Sequence, residues 1–95
     1  MFENPRYLTK GISERIPVLV QLLLWQMADE MPVRKDYLQI FRLEWKNGVL
    51  KITHSQEVPP YTRTYTLTAG ETVKTEKIYI IDSGEYSTML LAEEY

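Results

Sequence analysis

Ninety-five residues, 44% hydrophobic and 25% charged, suit one small soluble domain spanning residues 1–95 and leave no room for a second. Eleven basic side chains against thirteen acidic ones give a net charge of −2, without the basic excess of a general nucleic-acid binder. Cysteine is absent and histidine occurs once, which excludes disulfides, thiolate chemistry and a multi-histidine centre within the chain; no metal or cofactor is expected.

The opening residues, Met1-Phe2-Glu3-Asn4-Pro5-Arg6, lack the apolar stretch of a signal peptide. The most apolar segment, Ile16 to Ala28, is interrupted by Gln21 and Gln26 and falls short of the roughly 20 apolar residues a membrane span needs. The expectation is a cytoplasmic protein without a membrane anchor. A short strand is expected around Tyr7 to Lys10. Gly11, Gly48, Gly70 and Gly84 stand singly and read as turn punctuation rather than as a phosphate-binding loop.

Pro17 suits a helix start and Pro32 a helix stop, so the segment between them is a helix ending near Glu30 or Met31. At 100° per residue, Ile16, Val20, Leu23, Leu24, Met27 and Met31 form a core face. Val18, Leu22 and Trp25 form a second apolar stripe, bordered by Gln21, Gln26 and Asp29. One helix then offers more apolar surface than one sheet is expected to cover. The stripe is either folded over by a terminal segment (Phe2, Tyr7 and Leu8, or Met89, Leu91 and Tyr95) or meets another chain. Val18, Leu22 and Trp25 are therefore the candidate interface, with a homodimer or a protein partner the expected occupant.

Strands follow. Tyr37–Lys46 and Val49–Gln56 flank Asn47-Gly48, the strongest short hairpin signal. A two-residue turn pairs Trp45 with Leu50, Leu43 with Ile52 and Phe41 with His54 on one apolar face, with Gln39 opposite Gln56 one pair further on. Leu38 and Ile40 are apolar on the other phase, which suggests a bulge near Ile40. After Val58-Pro59-Pro60, the segment Tyr61–Thr68 alternates threonine with Tyr61, Arg63, Tyr65 and Leu67. A turn at Ala69-Gly70, a strand over Val73–Asp82, a turn at Asp82-Ser83-Gly84-Glu85 and a last strand over Tyr86–Ala92, where Met89-Leu90-Leu91 could also form a short helix, complete the chain. The fold class is α+β, one main helix packed on a curved, meandering antiparallel sheet.

Ile16-Pro17-Val18 through Leu22-Leu23-Leu24-Trp25-Gln26, His54-Ser55-Gln56-Glu57 with Pro59-Pro60-Tyr61, and the ending Tyr86-Ser87-Thr88-Met89-Leu90-Leu91-Ala92-Glu93-Glu94-Tyr95 resemble the domain of unknown function 960 family. These are small proteins of Gram-positive bacteria such as staphylococci, streptococci and enterococci. The resemblance covers nearly the whole chain and implies a bacterial cytoplasmic protein with a helix on a curved antiparallel sheet. It brings no activity and no catalytic residues.

Few groups can carry chemistry. His54 titrates nearest neutrality, and the hairpin places it beside Phe41 on the apolar face. Its neighbour Ser55 points to the opposite face, so the two form no dyad. His54, Gln56, Glu57, Tyr61 and Arg63 are the candidate ligand site, open to a structural reading as much as to a small-molecule or enzymatic one. Asp29-Glu30 and Glu93-Glu94 are adjacent acids at element ends, a poor setting for split pKa values. Tyr61, Arg63 and Tyr65 could stack single-stranded bases, but good strand formers at core spacing and a net negative charge make nucleic acid an unfavoured partner. The leading expectation is a noncatalytic, self-associating interaction module.

Overall fold

The computed structural model describes residues 1–68 and 75–95. In chain order these form β1 (Arg6–Leu8), α1 (Lys10–Arg15), α2 (Val18–Asp29), β2 (Leu38–Lys46), β3 (Val49–Gln56), β4 (Tyr61–Thr68), β5 (Glu76–Asp82), β6 (Ser87–Leu91) and a 3₁₀ turn over Ala92–Glu94. The strands make one six-stranded sheet in the order β1-β6-β5-β2-β3-β4. The class is α+β, as expected.

The β2–β3 hairpin has the register read from Asn47-Gly48, with Lys46 opposite Val49 and Phe41 opposite His54. Both turn residues have positive φ, 53° and 75°, as a two-residue type I′ turn requires. The inner face of the sheet carries Phe41, Leu43, Leu50, Ile52, Ile78, Ile80, Met89 and Leu91, all buried against Ile16, Val20, Leu24, Met27 and Ala28. Removing each such side chain from water contributes about 1.5–3 kcal/mol. Trp45, Leu67 and Leu23 close the core at one end and are only partly buried.

Several expectations need correction. The sheet is mixed, because β1 pairs in parallel with β6 while every other neighbouring pair is antiparallel. Nor is it a simple meander: the β5–β6 hairpin returns to the far side of β2, placing β1 and β4 at opposite edges. No bulge interrupts β2, whose ladders run unbroken from Leu38 to Leu43 against β5 and from Ile40 to Lys46 against β3. The change of apolar phase arises because Gln39 takes the core-facing position, while Leu38 and Ile40 lie half-buried on the outer face. Gly11 sits inside α1, not in a turn. The first strand ends at Leu8 and Lys10 already belongs to α1, because Thr9 caps that helix through its side chain to the Ile12 amide. The last segment is a strand, with Ala92 moving into the 3₁₀ turn. The turn at Ala69-Gly70 and the start of the strand at Val73 lie outside the described residues.

Two carboxylates tie the termini down. Asp82 accepts from the Phe2 amide (3.0 Å), the Asn4 side chain (3.0 Å) and the Gly84 amide (2.7 Å). These bonds, the Phe2 amide foremost, hold its pKa below the ordinary carboxylate value. They fix Phe2 at φ 68° with its ring fully buried. Glu94 accepts from the Thr9 hydroxyl (2.6 Å), the Gly11 amide (3.1 Å) and the Leu91 amide (2.8 Å), and its pKa is lowered chiefly by the Thr9 bond. Glu93 pairs with Arg15, which also reaches Glu76 at 3.4 Å. The acidic pairs at element ends are thus structural clamps or surface charge.

This packing sets an unusual sign at Gly11. Alanine normally stabilises a helix by about 0.5–1 kcal/mol over glycine. Here a Cβ would lie 2.6 Å from Leu91 Cδ1 and 2.7 Å from the Glu94 carboxyl group. Gly11→Ala is expected to destabilise by about 1–3 kcal/mol in urea unfolding; a gain in stability would contradict the close approach.

Candidate functional site

Two of the proposed ligand residues, His54 and Gln56, belong to a buried hydrogen-bond chain. Its direction is set at the Gln56 end. The main-chain carbonyls of Arg34 and Pro59 can only accept, so Gln56 turns its NH₂ group to both, at 2.9 Å each. Gln56 Oε1 then accepts from the Asp36 amide (2.9 Å) and from Gln39 Nε2 (2.7 Å). Gln39 Nε2 also donates to the Asp36 carbonyl at 2.9 Å, which leaves Gln39 Oε1 facing His54 Nε2 at 2.6 Å. A carbonyl oxygen cannot donate, so the proton resides on His54 Nε2. The imidazole is the neutral Nε2–H tautomer. Its Nδ1 is a bare acceptor, buried without a hydrogen-bond partner among the described residues.

The surroundings keep the ring neutral. His54 is fully buried, stacked on Phe41 with centroids 4.4 Å apart and planes 13° off parallel. Tyr61 meets it edge-on at 5.5 Å. Burial first, and the Arg63 cation second, push its pKa down to about 4. At neutral pH the ring neither carries charge nor meets solvent. The chain of amides instead fastens β2, β3 and the 34–36 loop together, satisfying main-chain groups on both sides of the segment before β2.

The five sequence candidates divide accordingly. His54, Gln56 and Tyr61 come together, and Arg63 lies opposite His54 on β4 with its side chain in solvent. Glu57 is exposed and makes no hydrogen bond or ion pair among the described residues. The sequence placed Gln39 opposite Gln56 but not their grip on Arg34, Asp36 and Pro59. That grip supports a surface cleft of about 620 Å³ lined by Met1, Arg34, Lys35, Asp36, Tyr37, Val58 and Pro59. Asp36 Oδ2 accepts from the Val58 amide at 3.3 Å, beside a cis Val58–Pro59 bond, and Lys35 Nζ donates to the Asp29 carbonyl at the end of α2. No spacing motif announces such a cleft, since its walls come from main chain brought together by two glutamines.

The second candidate surface is the outer side of α2. Trp25 is only 8% exposed: it belongs to the core cluster, and the Arg6 guanidinium lies 4.6 Å over its ring. Arg6 is itself held by Asp29 (2.5 Å) and the Phe2 carbonyl (3.0 Å). The N-terminal segment therefore folds over part of the stripe, one of the two alternatives the sequence left open. Gln21 does not border the stripe; it is buried and donates to the Ile16 carbonyl at 2.8 Å, closing α1. Val18, Leu19 and Leu22 are left 66%, 81% and 59% exposed. Leu19, missed in the sequence reading, completes a patch confined to the first half of the helix. Gln26, Asp29 and Glu30 occupy the second half of the same side. Among the described residues no helix is long and apolar enough to cross a membrane.

A family model described as staphylococcal protein of unknown function (DUF960) matches residues 5–94. No curated protein matches the sequence. Among solved structures, a protein of unknown function from Enterococcus faecalis is similar in fold, with a TM-score of 0.86 at 24% identity, covering 98% of this chain and 92% of that one.

A histidine held near pKa 4 against about 6.5 in the unfolded chain makes the unfolded state bind more protons between those values. Stability therefore falls as pH drops from about 6.5 towards 4, by about 1 kcal/mol per pH unit at most, and this component is level outside that window. His54→Gln is expected to remove that slope, whatever its effect on stability at pH 7. A ring whose proton NMR shifts titrate near pH 6.5 would contradict the buried neutral tautomer.

Proposed function

The chain belongs to the DUF960 family of staphylococcal proteins of unknown function, and we propose that it acts as a noncatalytic interaction module that self-associates through the outer face of α2. The observation that carries this reading is the exposed patch of Val18, Leu19 and Leu22. Exposed apolar side chains scattered singly are ordinary, but three on adjacent turns with no covering segment among the described residues make a continuous apolar surface. Burying each would contribute about 1.5–3 kcal/mol, a large share of what a weak dimer needs.

A second copy of the chain is the occupant that the charge pattern favours. Two α2 helices crossing about a two-fold axis at Val18–Leu22 bring the apolar halves together. The same crossing sends Asp29 and Glu30 of each copy to opposite ends, away from each other. Trp25 then acts from beneath, as a rigid base under Arg6 rather than as an inserted anchor. The buried, neutral His54 supports the structural reading of the amide chain over a catalytic one. The cytoplasm is the compartment proposed, consistent with the family's Gram-positive setting.

Leu22→Glu places a charge in the centre of the patch without touching the core. It is expected to lower the average mass measured by sedimentation equilibrium, with a melting temperature close to the original because the site is exposed. An unchanged mass would contradict self-association through α2.

A further inference from the structure

The two edges of the sheet are treated differently. At one edge β1 is three residues long, too short to template another strand. At the other, β4 runs for eight residues in unbroken register with β3, without a bulge or an internal proline and with Arg63 as its one charge. Natural edge strands are usually blunted by charge, proline, bulges or a covering segment. No described residue pairs with the open side of β4.

The hairpin fixes which groups that side presents. In a two-residue turn the residues next to it, Lys46 and Val49, exchange both main-chain hydrogen bonds, so Val49, Lys51, Thr53 and Ser55 point their amides at β2. Leu50, Ile52, His54 and Gln56 point theirs at β4, where they meet Leu67, Tyr65, Arg63 and Tyr61. The amides and carbonyls left facing outward belong to Thr62, Thr64, Thr66 and Thr68. The open edge is a row of threonines, good strand formers carrying no charge.

We propose that β4 pairs antiparallel with β4 of a second copy, about a two-fold axis at Thr64, joining two sheets into one. The side-chain pattern selects this occupant and register. With Thr64 opposite itself, Arg63 of each copy faces Tyr65 of the other, Tyr61 faces Leu67, and Thr62 faces Thr66. All three pairings are favourable cross-strand neighbours, and the arginine meets an aromatic face twice. A shift of the axis to Arg63 would set two guanidinium groups directly opposite. A shift to Tyr65 would put Arg63 against Leu67. The inner faces of both copies stay on the same side, so Tyr65, at 39% exposure within one chain, is covered across the new junction.

This contact is separate from the one on α2, and two different self-complementary surfaces link copies into a chain of alternating contacts. Thr64→Pro tests it, because proline removes an amide that points to solvent in the monomer and is tolerated on an edge strand. In the Leu22→Glu background, which disables the α2 contact, sedimentation equilibrium from micromolar to millimolar protein is expected to give a dimer. Adding Thr64→Pro is expected to halve that mass to the monomer, with unchanged circular dichroism. If the double variant loses its fold, Tyr65→Lys replaces Thr64→Pro, since it sets a lysine opposite Arg63 only in the Thr64 register. A Leu22→Glu protein that is monomeric throughout the range, or a dimer that survives a folded Thr64→Pro or Tyr65→Lys variant, overturns the β4 proposal. Failure of the α2 reading shows separately, as a Leu22→Glu mass equal to that of the original protein.

Discussion

The constraint behind this molecule is coverage. A helix of twelve residues is about 18 Å long, while six strands about 4.8 Å apart spread over about 24 Å between the outermost axes. On the β6 side the shortfall is met by α1, by the buried Phe2 ring and by Arg6 lying over Trp25. On the β4 side nothing comparable is present among the described residues. The inner face of that strand passes from half-buried Leu67 to exposed Tyr65 and Arg63. The first turns of α2 are likewise left with Val18, Leu19 and Leu22 in solvent.

Around this uneven cover, polar groups do the locking that a larger core would otherwise provide. Asp82 and Glu94 each gather three donors and fix the N-terminal and C-terminal segments against the sheet. Gln39, Gln56 and His54 do the same for the loop before β2. Every donor and acceptor in that chain has a partner except His54 Nδ1, and a neutral ring leaves the smallest possible deficit in the core.

The sequence was most informative where local chemistry and periodicity agree. Asn47-Gly48 determined a register that the structure reproduces residue by residue, and the prolines bracketed α2 to within one or two residues. It was least informative where partners lie far apart in the chain. The parallel pairing of β1 depends on contacts with β6 some eighty residues away, and the helical setting of Gly11 depends on Glu94. Gln39 produced a false bulge because a buried amide mimics a change of phase unless its partners at Asp36 and Gln56 are known. Trp25 was read with the open stripe, whereas it belongs to the core cluster, and a cation from β1 lying over its ring has no periodic signature. Leu19 escaped notice because the stripe was read at i, i+4, i+7 spacing, while the open face also includes the residue next to Val18.

Amide hydrogen exchange at low and high protein concentration tests the central claim most directly, because it reads the uncovered surfaces one residue at a time. The coverage account predicts that concentration adds protection to the outward amides of Thr62, Thr64 and Thr66, with slower local opening in the first turns of α2. The rest of the sheet should be unchanged. Exchange rates independent of concentration at all of these positions would show that the uncovered surfaces stay uncovered, and would contradict it.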